Sequence, residues 1–352
     1  MTGTHAPPEP DDIVQASLLT GFLGSGKTTL INALLKHPEM SDTAVLVNEF
    51  GEIGLDHHLI ERIDEDTVLL NAGCLCCTVR DDLSRALREL FIKRVKGDVP
   101  PFARVVIETT GLADPAPVIH TLMTDRVIAN RYALDGVVTA VDGVNGDIQL
   151  GRHRESVKQA AVADRIVITK GDIAEGEDLD GLEASLRALN PGAAIVRAEF
   201  GAIHPDALFD TGLYDPATKS LDVRRWLRDE AYGEDAHRHH HHDVNRHDDS
   251  IRAYCLRYDE PLAWEPFVGW IRTLIATHGE KLLRIKGIVN VAGQDKPIAI
   301  HGVQHLFHDP AQLPDWPDGD TRSRIVFITQ DLPRETVERI LEDMKAAVGK
   351  AG

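Results

Sequence analysis

The sequence lacks any apolar stretch that approaches the length needed to cross a bilayer. Its first twelve residues are polar and proline-rich, without the basic and apolar regions of a secretory signal. We therefore expect a cytoplasmic protein with no membrane partner, and we interpret residues 1–12 as a disordered tail. Cysteine is also scarce: there are four, and three of them lie within four positions. So tight a cluster is better explained by metal or redox chemistry than by structural disulfides.

Basic residues are few relative to acidic ones. The chain has 38 lysines and arginines against 56 aspartates and glutamates, a formal net charge of -18 at pH 7. Such a chain repels nucleic acid, so we expect no nucleic-acid partner, and cations are the more natural ligands. With 352 residues it is long enough for two domains, each with its own core.

One stretch organises the first half of the sequence. Residues 21–28 read G-F-L-G-S-G-K-T and match the phosphate-binding pattern G-x-x-x-x-G-K-[ST]. Residues 13–19 before it predict a buried strand, and residues 29–35 after it predict the first turns of a helix. Glycines let successive backbone N–H groups point at one anion, and the helix N-terminus adds partial positive charge. The predicted phosphate-binding residues are Gly21, Gly24, Ser25, Gly26, Lys27, Thr28 and Thr29.

Two roles within this loop are specific. Lys27 is expected to reach the outer phosphates, and Thr28 to supply a hydroxyl to Mg2+. A second motif follows the strand-like residues 104–107, which end in Glu108-Thr109-Thr110-Gly111. An acidic residue at a strand end can hold Mg2+ directly or through water, and Gly111 can offer an N–H to the terminal phosphate. We therefore predict Lys27, Thr28 and Glu108 as the catalytic residues.

A third motif predicts the base. Residues 166–168 form an apolar run, and Thr169-Lys170-Gly171-Asp172 after it matches the [NT]-K-x-D pattern of guanine recognition. The Asp172 carboxylate can accept hydrogen bonds from guanine N1 and N2, which adenine cannot provide, so GTP and GDP are the expected nucleotides. The stem of Lys170 is expected to lie along the base while its charge stays solvated.

The cysteine cluster lies between the first and second motifs. Cys74, Cys76 and Cys77 can converge on one ion, and soft sulfur ligands favour Zn2+ or Cu+ over Mg2+ or Ca2+. No fourth cysteine or histidine follows at the spacing of a zinc finger. This absence predicts an open site that is completed by a carboxylate, a water or a partner protein. Glu49 is one candidate for completing the site, because it follows the next strand after the phosphate loop and should open onto the same crevice. A redox pair or inert packing are the alternatives, and Cys255 is predicted to be a buried thiol.

Strand-like runs and helical patterns alternate in the first half, which predicts a mostly parallel sheet flanked by helices, the α/β class of P-loop NTPases. Residues 13–216 are assigned to this domain and residues 217–250 to a linker. From residue 251 to 348 mostly adjacent strands with a helix at each side predict a smaller α+β domain. A helix is predicted over residues 151–163.

The linker contains a histidine-rich segment. Imidazoles are ready metal ligands at neutral pH, and we interpret the run His239, His240, His241 and His242 as a weak metal-gathering arm. A segment that only solvates the linker is the alternative.

These motifs, in this order, resemble the CobW family of metal-handling GTPases, relatives of HypB and UreG. The resemblance rests on residues 21–29, 48–52, 73–77, 108–115 and 169–172, and on the similarity of residues 251–348 to the CobW C-terminal domain. The sequence departs from many GTPases at Thr169, where Asn is common. The resemblance implies a SIMIBI-type GTPase that holds a transition-metal ion at the C-x-C-C motif with GTP and Mg2+ bound, then releases it to a client metalloprotein after hydrolysis.

The histidine-rich segment favours Zn2+ as the cargo, with Co2+ as the other candidate. The alternatives are a cobalt or iron chaperone for cobalamin synthesis or a nitrile-hydratase-type enzyme, a zinc storage protein, and a P-loop small-molecule kinase. Association with further copies of the chain is left open.

Overall fold

The computed structural model describes residues 13–48, 68–71, 79–174, 176–209, 251–307, 310–317 and 319–349. The chain divides into two compact units, each built around one sheet. The first sheet is parallel and the second antiparallel. The predicted α/β class with a further α+β unit is therefore confirmed.

The first sheet has seven strands within the described ranges, all paired in parallel. Their order across the sheet is β3-β2-β4-β1-β5-β6-β7. The strands are β1 (Val14–Thr20), β2 (Thr43–Asn48), β3 (Val68–Asn71), β4 (Arg104–Thr109), β5 (Tyr132–Asp142), β6 (Arg165–Thr169) and β7 (Ala194–Arg197).

Helices connect these strands. They are α1 (Lys27–Leu34), α2 (Val79–Lys96), α3 (Ala116–Thr124), α4 (Arg126–Ala129), α5 (Gly146–Arg152), α6 (Arg154–Val162) and α7 (Gly176–Leu189). The apolar stripe of α1 packs in one cluster with buried residues of the central strands: Leu30, Ile31, Leu34, Val45, Val106, Val138 and Val167. Successive strand side chains point to opposite faces, so the alternate buried residues Leu18, Leu46, Ile107 and Val137 form a second apolar face. Both faces are apolar because both are covered.

Strand register aligns the predicted motifs at one edge. Glu108 pairs with Leu19 of β1, and Asp142 pairs with Thr169 of β6. All the strands are parallel, so their carboxyl ends meet at this edge, where ligands of open α/β sheets bind.

The helix expected over residues 151–163 is confirmed over Arg154–Val162, but the range is not one continuous helix. The chain instead forms α5 and α6, separated at His153, whose backbone is extended (φ -124°, ψ 113°). The His153 ring stacks on Phe22 of the phosphate loop, with 4.5 Å between ring centroids. The break therefore places an aromatic contact against the loop, which helical periodicity does not reveal.

The second unit has an antiparallel sheet, ordered β11-β10-β9-β13-β8 with β12 paired to β10. Its elements are β8 (Ile251–Tyr258), α8 (Trp264–His278), β9 (Leu282–Val289), β10 (Ile298–Val303), β11 (Leu306–Phe307), β12 (Ala311–Gln312), β13 (Ser323–Gln330) and α9 (Arg334–Gly349). Residues from α8, α9 and the sheet form one buried cluster around Trp270, which is fully buried. The Trp270 indole N–H donates to the Val337 carbonyl at 3.0 Å and so links the two helices.

Two further expectations concern single features. Cys255 is 8% exposed and packs in a small apolar cluster with Ile288 and Val326, so the prediction of a buried thiol is confirmed. Among the helices that the structure describes, none is long and apolar enough to span a membrane.

Candidate functional site

The phosphate loop runs from the end of β1 into α1. Its backbone requires glycine at two positions in particular. A side chain at Gly21 would place a Cβ atom 2.3 Å from the Ala140 carbonyl oxygen of β5. Gly26 has φ of 83° and caps the start of α1, a left-handed conformation that other residues adopt only with strain. The loop can therefore turn tightly enough to direct N–H groups and the α1 N-terminus at an anion.

Lys27 is the first residue of α1 and is 8% exposed. Its Nζ atom donates to the Gly21 carbonyl at 2.8 Å and to the Phe22 carbonyl at 3.2 Å. A buried ammonium needs such acceptors, because its desolvation is costly. The positive charge therefore lies inside the loop, as expected for a lysine that binds phosphate.

Thr28 and Glu108 come together at the same edge. The Thr28 hydroxyl donates to Glu108 Oε1 at 3.4 Å, and Glu108 is 6% exposed. A hydroxyl beside a buried carboxylate is a suitable donor set for Mg2+, which prefers oxygen ligands. The residues present therefore fit the predicted metal.

The loop after β4 lies against the phosphate loop. A Cβ atom at Gly111 would be 2.6 Å from the Leu23 backbone nitrogen, so only glycine permits this approach. The Gln159 side-chain amide of α6 donates to the carbonyls of Gly111 at 3.2 Å and Ala113 at 3.0 Å. Gln159 thus holds the second motif beside the first.

Thr169 joins the base motif to the phosphate loop. Its hydroxyl is 2.7 Å from the Ser25 carbonyl and 3.1 Å from the Val141 carbonyl, and the residue is 3% exposed. Thr169 therefore provides a direct bond between the two loops where many GTPases have asparagine.

Lys170 pairs with an acidic residue. Its Nζ is 2.6 Å from Asp142 Oδ2 and its side chain is 33% exposed, so the charge is paired with a carboxylate as well as accessible to water. Burial would raise the pKa of Asp142, but hydrogen bonds from Lys170, Asn145 and the backbone outweigh it and hold the pKa below its usual value. Asp142 itself is 1% exposed. The pair fixes Lys170, which has φ of 58°, at the start of the base motif.

Asp172 is exposed, as a base-recognition carboxylate should be. Its Oδ1 accepts a hydrogen bond at 3.0 Å from the backbone N–H of Phe200, in the loop that follows β7. Phe200 is 79% exposed and has φ of 52°. The residue whose backbone N–H bonds the predicted guanine ligand therefore also carries an exposed aromatic ring.

The predicted transition-metal ligands lie outside the described residues. These are Cys74, Cys76, Cys77, Glu49 and the run His239, His240, His241 and His242. For the first four, the nearest described residues are the ends of the neighbouring strands and the start of the next helix. β2 ends at Asn48 and β3 at Asn71, the two strands are adjacent with Val47 paired to Asn71, and α2 starts at Val79. The segments that contain Glu49 and the cysteines thus leave the sheet from neighbouring strand ends.

Comparison with known families decides the relationship. The CobW/HypB/UreG nucleotide-binding domain matches residues 15–197, which is more than half of the chain. The chain belongs to the CobW/HypB/UreG family. Residues 251–345 match the C-terminal domain of the cobalamin synthesis protein CobW. The predicted resemblance is confirmed for both units.

Several relatives of this CobW-family chain match over most of its length. The zinc chaperone YjiA of Escherichia coli K12 is 34% identical over 325 residues, which are 92% of this chain and 96% of the relative. The zinc chaperone CobW of Pseudomonas aeruginosa is 30% identical over 355 residues, covering 91% and 88% respectively. The crystal structure of Zn(II)-bound YjiA GTPase from Escherichia coli superposes with a TM-score of 0.70 at 29% identity, covering 95% of this chain and 99% of that one.

Sequence reasoning missed three residues that build the nucleotide edge: Asp142, Gln159 and Phe200. Asp142 carried a usable signal, because it is an acidic residue at the end of a long apolar strand followed by glycine. Gln159 and Phe200 carried none, since a helical glutamine and a loop phenylalanine are common without any role at a site.

Proposed function

We propose that this protein is a GTP-hydrolysing zinc chaperone that binds Zn2+ at Cys74, Cys76 and Cys77 and passes it to a client metalloprotein. The observation that carries the proposal is the convergence of three nucleotide motifs at one sheet edge through the Thr28–Glu108 and Thr169–Ser25 contacts. Relatives named zinc chaperones, matched over about nine-tenths of the chain, support zinc as the cargo.

Phosphate binding is assigned to the loop at residues 21–29. The backbone N–H groups and the Lys27 ammonium would bind the phosphates and stabilise the charge that develops as the terminal phosphate leaves. Thr28 and Glu108 would hold Mg2+, which neutralises charge on the outer phosphate oxygens when bound. Gly111, which lies close to Leu23 of the phosphate loop, would offer its N–H to the terminal phosphate.

Guanine selection is assigned to the loop that starts at Thr169. Asp172 would accept the N1 and N2 hydrogens of guanine, whereas adenine would offer this carboxylate neither of these donors. The Phe200 N–H holds one carboxylate oxygen at 3.0 Å and orients the group before the base arrives. Because the Phe200 ring is exposed, it is available to cover one face of the base.

The nucleotide is proposed to control the cysteine site through adjacent strand ends. Asn48 pairs with Thr109, which follows Glu108 directly, and the Glu49 segment begins at this point. The cysteine segment begins one strand further, after Asn71. A terminal phosphate that orders the first segment can therefore favour closure of the second around a metal ion. Since binding coupling is reciprocal, metal should tighten GTP binding by the same factor.

The remaining parts of the proposal follow the domain boundaries. We assign nucleotide and metal chemistry to residues 13–216, a metal-gathering linker to residues 217–250, and client docking to residues 251–348, since the nucleotide and cysteine motifs lie outside that last part. The cytoplasm is the proposed compartment, because reduced thiols persist there.

The decisive test is an anaerobic competition titration of Zn2+ and Co2+ with Mg-GTP and then with Mg-GDP on the full chain. We expect higher affinity with GTP, thiolate charge-transfer absorption in the Co2+ form, and loss of both in Cys76→Ala. Cys255→Ala is the matched control, because it removes a buried thiol in the second unit. Equal affinity with both nucleotides would overturn the gating, and an unaffected Cys76→Ala variant would overturn the cysteine site.

A further inference from the structure

Two similar tripeptides from distant parts of the chain meet in the first unit. One is His37-Pro38-Glu39, just after α1, and the other is His204-Pro205-Asp206, after β7. Each forms the start of a short 3-10 turn whose first backbone N–H donates to the preceding histidine Nδ1, at 3.3 Å in the first turn and 3.4 Å in the second.

Three side chains from these turns are close enough to share one ion. The ring centroids of His37 and His204 are 4.7 Å apart. Glu39 Oε2 is 3.9 Å from His37 Nδ1 and 3.7 Å from His204 Nε2. One ligand atom from each of the three side chains lies within 4.8 Å of the others, and no second group of this kind occurs among the residues that the structure describes.

We propose that His37, Glu39 and His204 bind one divalent ion of the zinc class, at a site separate from the cysteine motif. Two imidazoles and one carboxylate suit Zn2+, with ligand bonds of about 2.0–2.2 Å. Two ligand atoms bound tetrahedrally to zinc at that bond length are about 3.3 Å apart. The ligand atoms of each pair therefore have to approach one another by about 1.5 Å or less. Three protein ligands leave a fourth position open for water or a transferred ligand.

The neighbouring carboxylate supports this assignment. A coordinating His204 Nε2 needs its lone pair, so the ring proton has to lie on Nδ1. Asp206 Oδ2 is 3.6 Å from that Nδ1, so a shift of about 0.5 Å would let it accept the proton's hydrogen bond, the usual arrangement around metal-binding histidines. With the proton on Nδ1, His204 can no longer accept the hydrogen bond from the Asp206 backbone N–H. That hydrogen bond is long, at 3.4 Å, and therefore weak.

All the ligands are accessible to solvent. The side chains of His37, Glu39 and His204 are 32%, 51% and 54% exposed. An exposed site with an open position exchanges its ion readily, so it suits a metal that is passed on. The site requires no nucleotide-dependent closure, in contrast to the proposed cysteine site.

The two turns are also connected in the chain to segments of the predicted nucleotide site. His37 follows α1, whose first residue is Lys27, and His204 lies four residues after Phe200, whose N–H holds Asp172. Between them, a Cβ atom at Gly201 would be 3.3 Å from Thr29, so the loop lies directly on α1. An ion shared by the two turns fixes this loop against α1, and it should therefore slow the release of bound guanine nucleotide.

The binding test uses the full chain with Cys74, Cys76 and Cys77 changed to serine, so that failure of the proposed cysteine site does not affect it. Zn2+ is titrated against a chromophoric chelator, and the ions bound per chain are counted. We expect one ion fewer in His204→Asn and in Glu39→Gln, and no change in His278→Asn, a half-buried histidine of α8 outside the cluster. Equal numbers of bound zinc ions in the cysteine-free chain and in its three variants would overturn the proposal.

A second measurement locates the ion. Diethyl pyrocarbonate modifies accessible imidazoles, and peptide mass spectrometry reports each histidine separately. Zn2+ should protect His37 and His204 together in the cysteine-free chain and leave His278 unprotected. Protection that is confined to the histidine-rich segment would overturn the site even if the chain binds zinc.

The coupling is tested by the release of a fluorescent GDP analogue from the cysteine-free chain. With Zn2+ present we expect release to be slower by about fivefold or more, and Glu39→Gln should abolish the difference. An equal release rate with and without Zn2+ would overturn the coupling.

Discussion

The two sheets of this protein differ in where their topology brings connecting segments together. In the parallel sheet, three buried polar side chains at the carboxyl edge, Glu108, Asp142 and Thr169, each bond a segment that follows a strand other than its own. In the antiparallel sheet, the helix-covered face is an aromatic and aliphatic cluster around Trp270. Parallel strands all end at the same edge, whereas antiparallel strands end alternately at opposite edges. Parallel topology therefore collects loops into one site, whereas the strands described in the second unit send their loops to both edges of the sheet.

The difference predicts where substitutions act. Changes at the parallel edge should impair nucleotide chemistry, and changes in the aromatic cluster should lower stability without altering that chemistry.

The largest effect is expected for Lys27→Ala. Loss of the loop's ammonium removes a charged donor to the phosphates, so GTP hydrolysis should fall by about 10²- to 10³-fold. Phosphate release under single-turnover conditions measures this. Lys36→Ala, an exposed position just past the end of the same helix, is the control and should stay within about twofold. If Lys27→Ala hydrolyses GTP at nearly the parent rate, the Lys27 ammonium does not contribute to hydrolysis.

Asp142→Asn should have an intermediate effect with a defined pH dependence. Its pKa is lowered in the folded chain from 3.8, so the carboxylate contributes stability that is fully present above that value. The contribution is lost as pH falls through the lowered pKa. At pH 7 the variant should lower the free energy of unfolding by about 2–3 kcal/mol, and the difference from the parent should shrink below pH 3.8.

Urea unfolding at neutral pH and at about pH 3 measures this dependence. Asp98→Asn removes an exposed carboxylate and should change stability by less than about 0.5 kcal/mol at either pH. A difference between the Asp142→Asn variant and the parent that is constant with pH would mean that the Lys170 pair does not stabilise the fold.

The smallest effect, and the one confined to the second unit, is expected for Trp270→Phe. The change removes the indole N–H bond to Val337 and part of a fully buried ring, at a cost of about 2 kcal/mol. Hydrogen exchange should rise in α8 and α9, while GTP hydrolysis stays at the parent rate. Trp264→Phe, at a partly buried position of the same cluster, should cost less. A loss of hydrolysis in Trp270→Phe would contradict the separation of roles.

Much of the nucleotide site was predictable because its parts are contiguous in sequence. The glycines and lysine of residues 21–28, the strand end at Glu108 and the motif that starts at Thr169 each have a fixed local spacing that reports their chemistry. The buried strands were predictable for a similar reason, since they are short apolar runs between helical patterns. The break at His153 was not, because the residue that His153 contacts there, Phe22, comes from another part of the chain.

The sequence by itself determined the α/β class, the family, and the nucleotide motifs, because each depends on local spacing and on hydrophobic periodicity. Three contacts emerge only from the folded chain: Asp142 with Lys170, Phe200 with Asp172, and the first His-Pro-acidic turn with the second. These contacts join residues far apart in the chain. Their geometry depends on strand order and register, which no local pattern specifies.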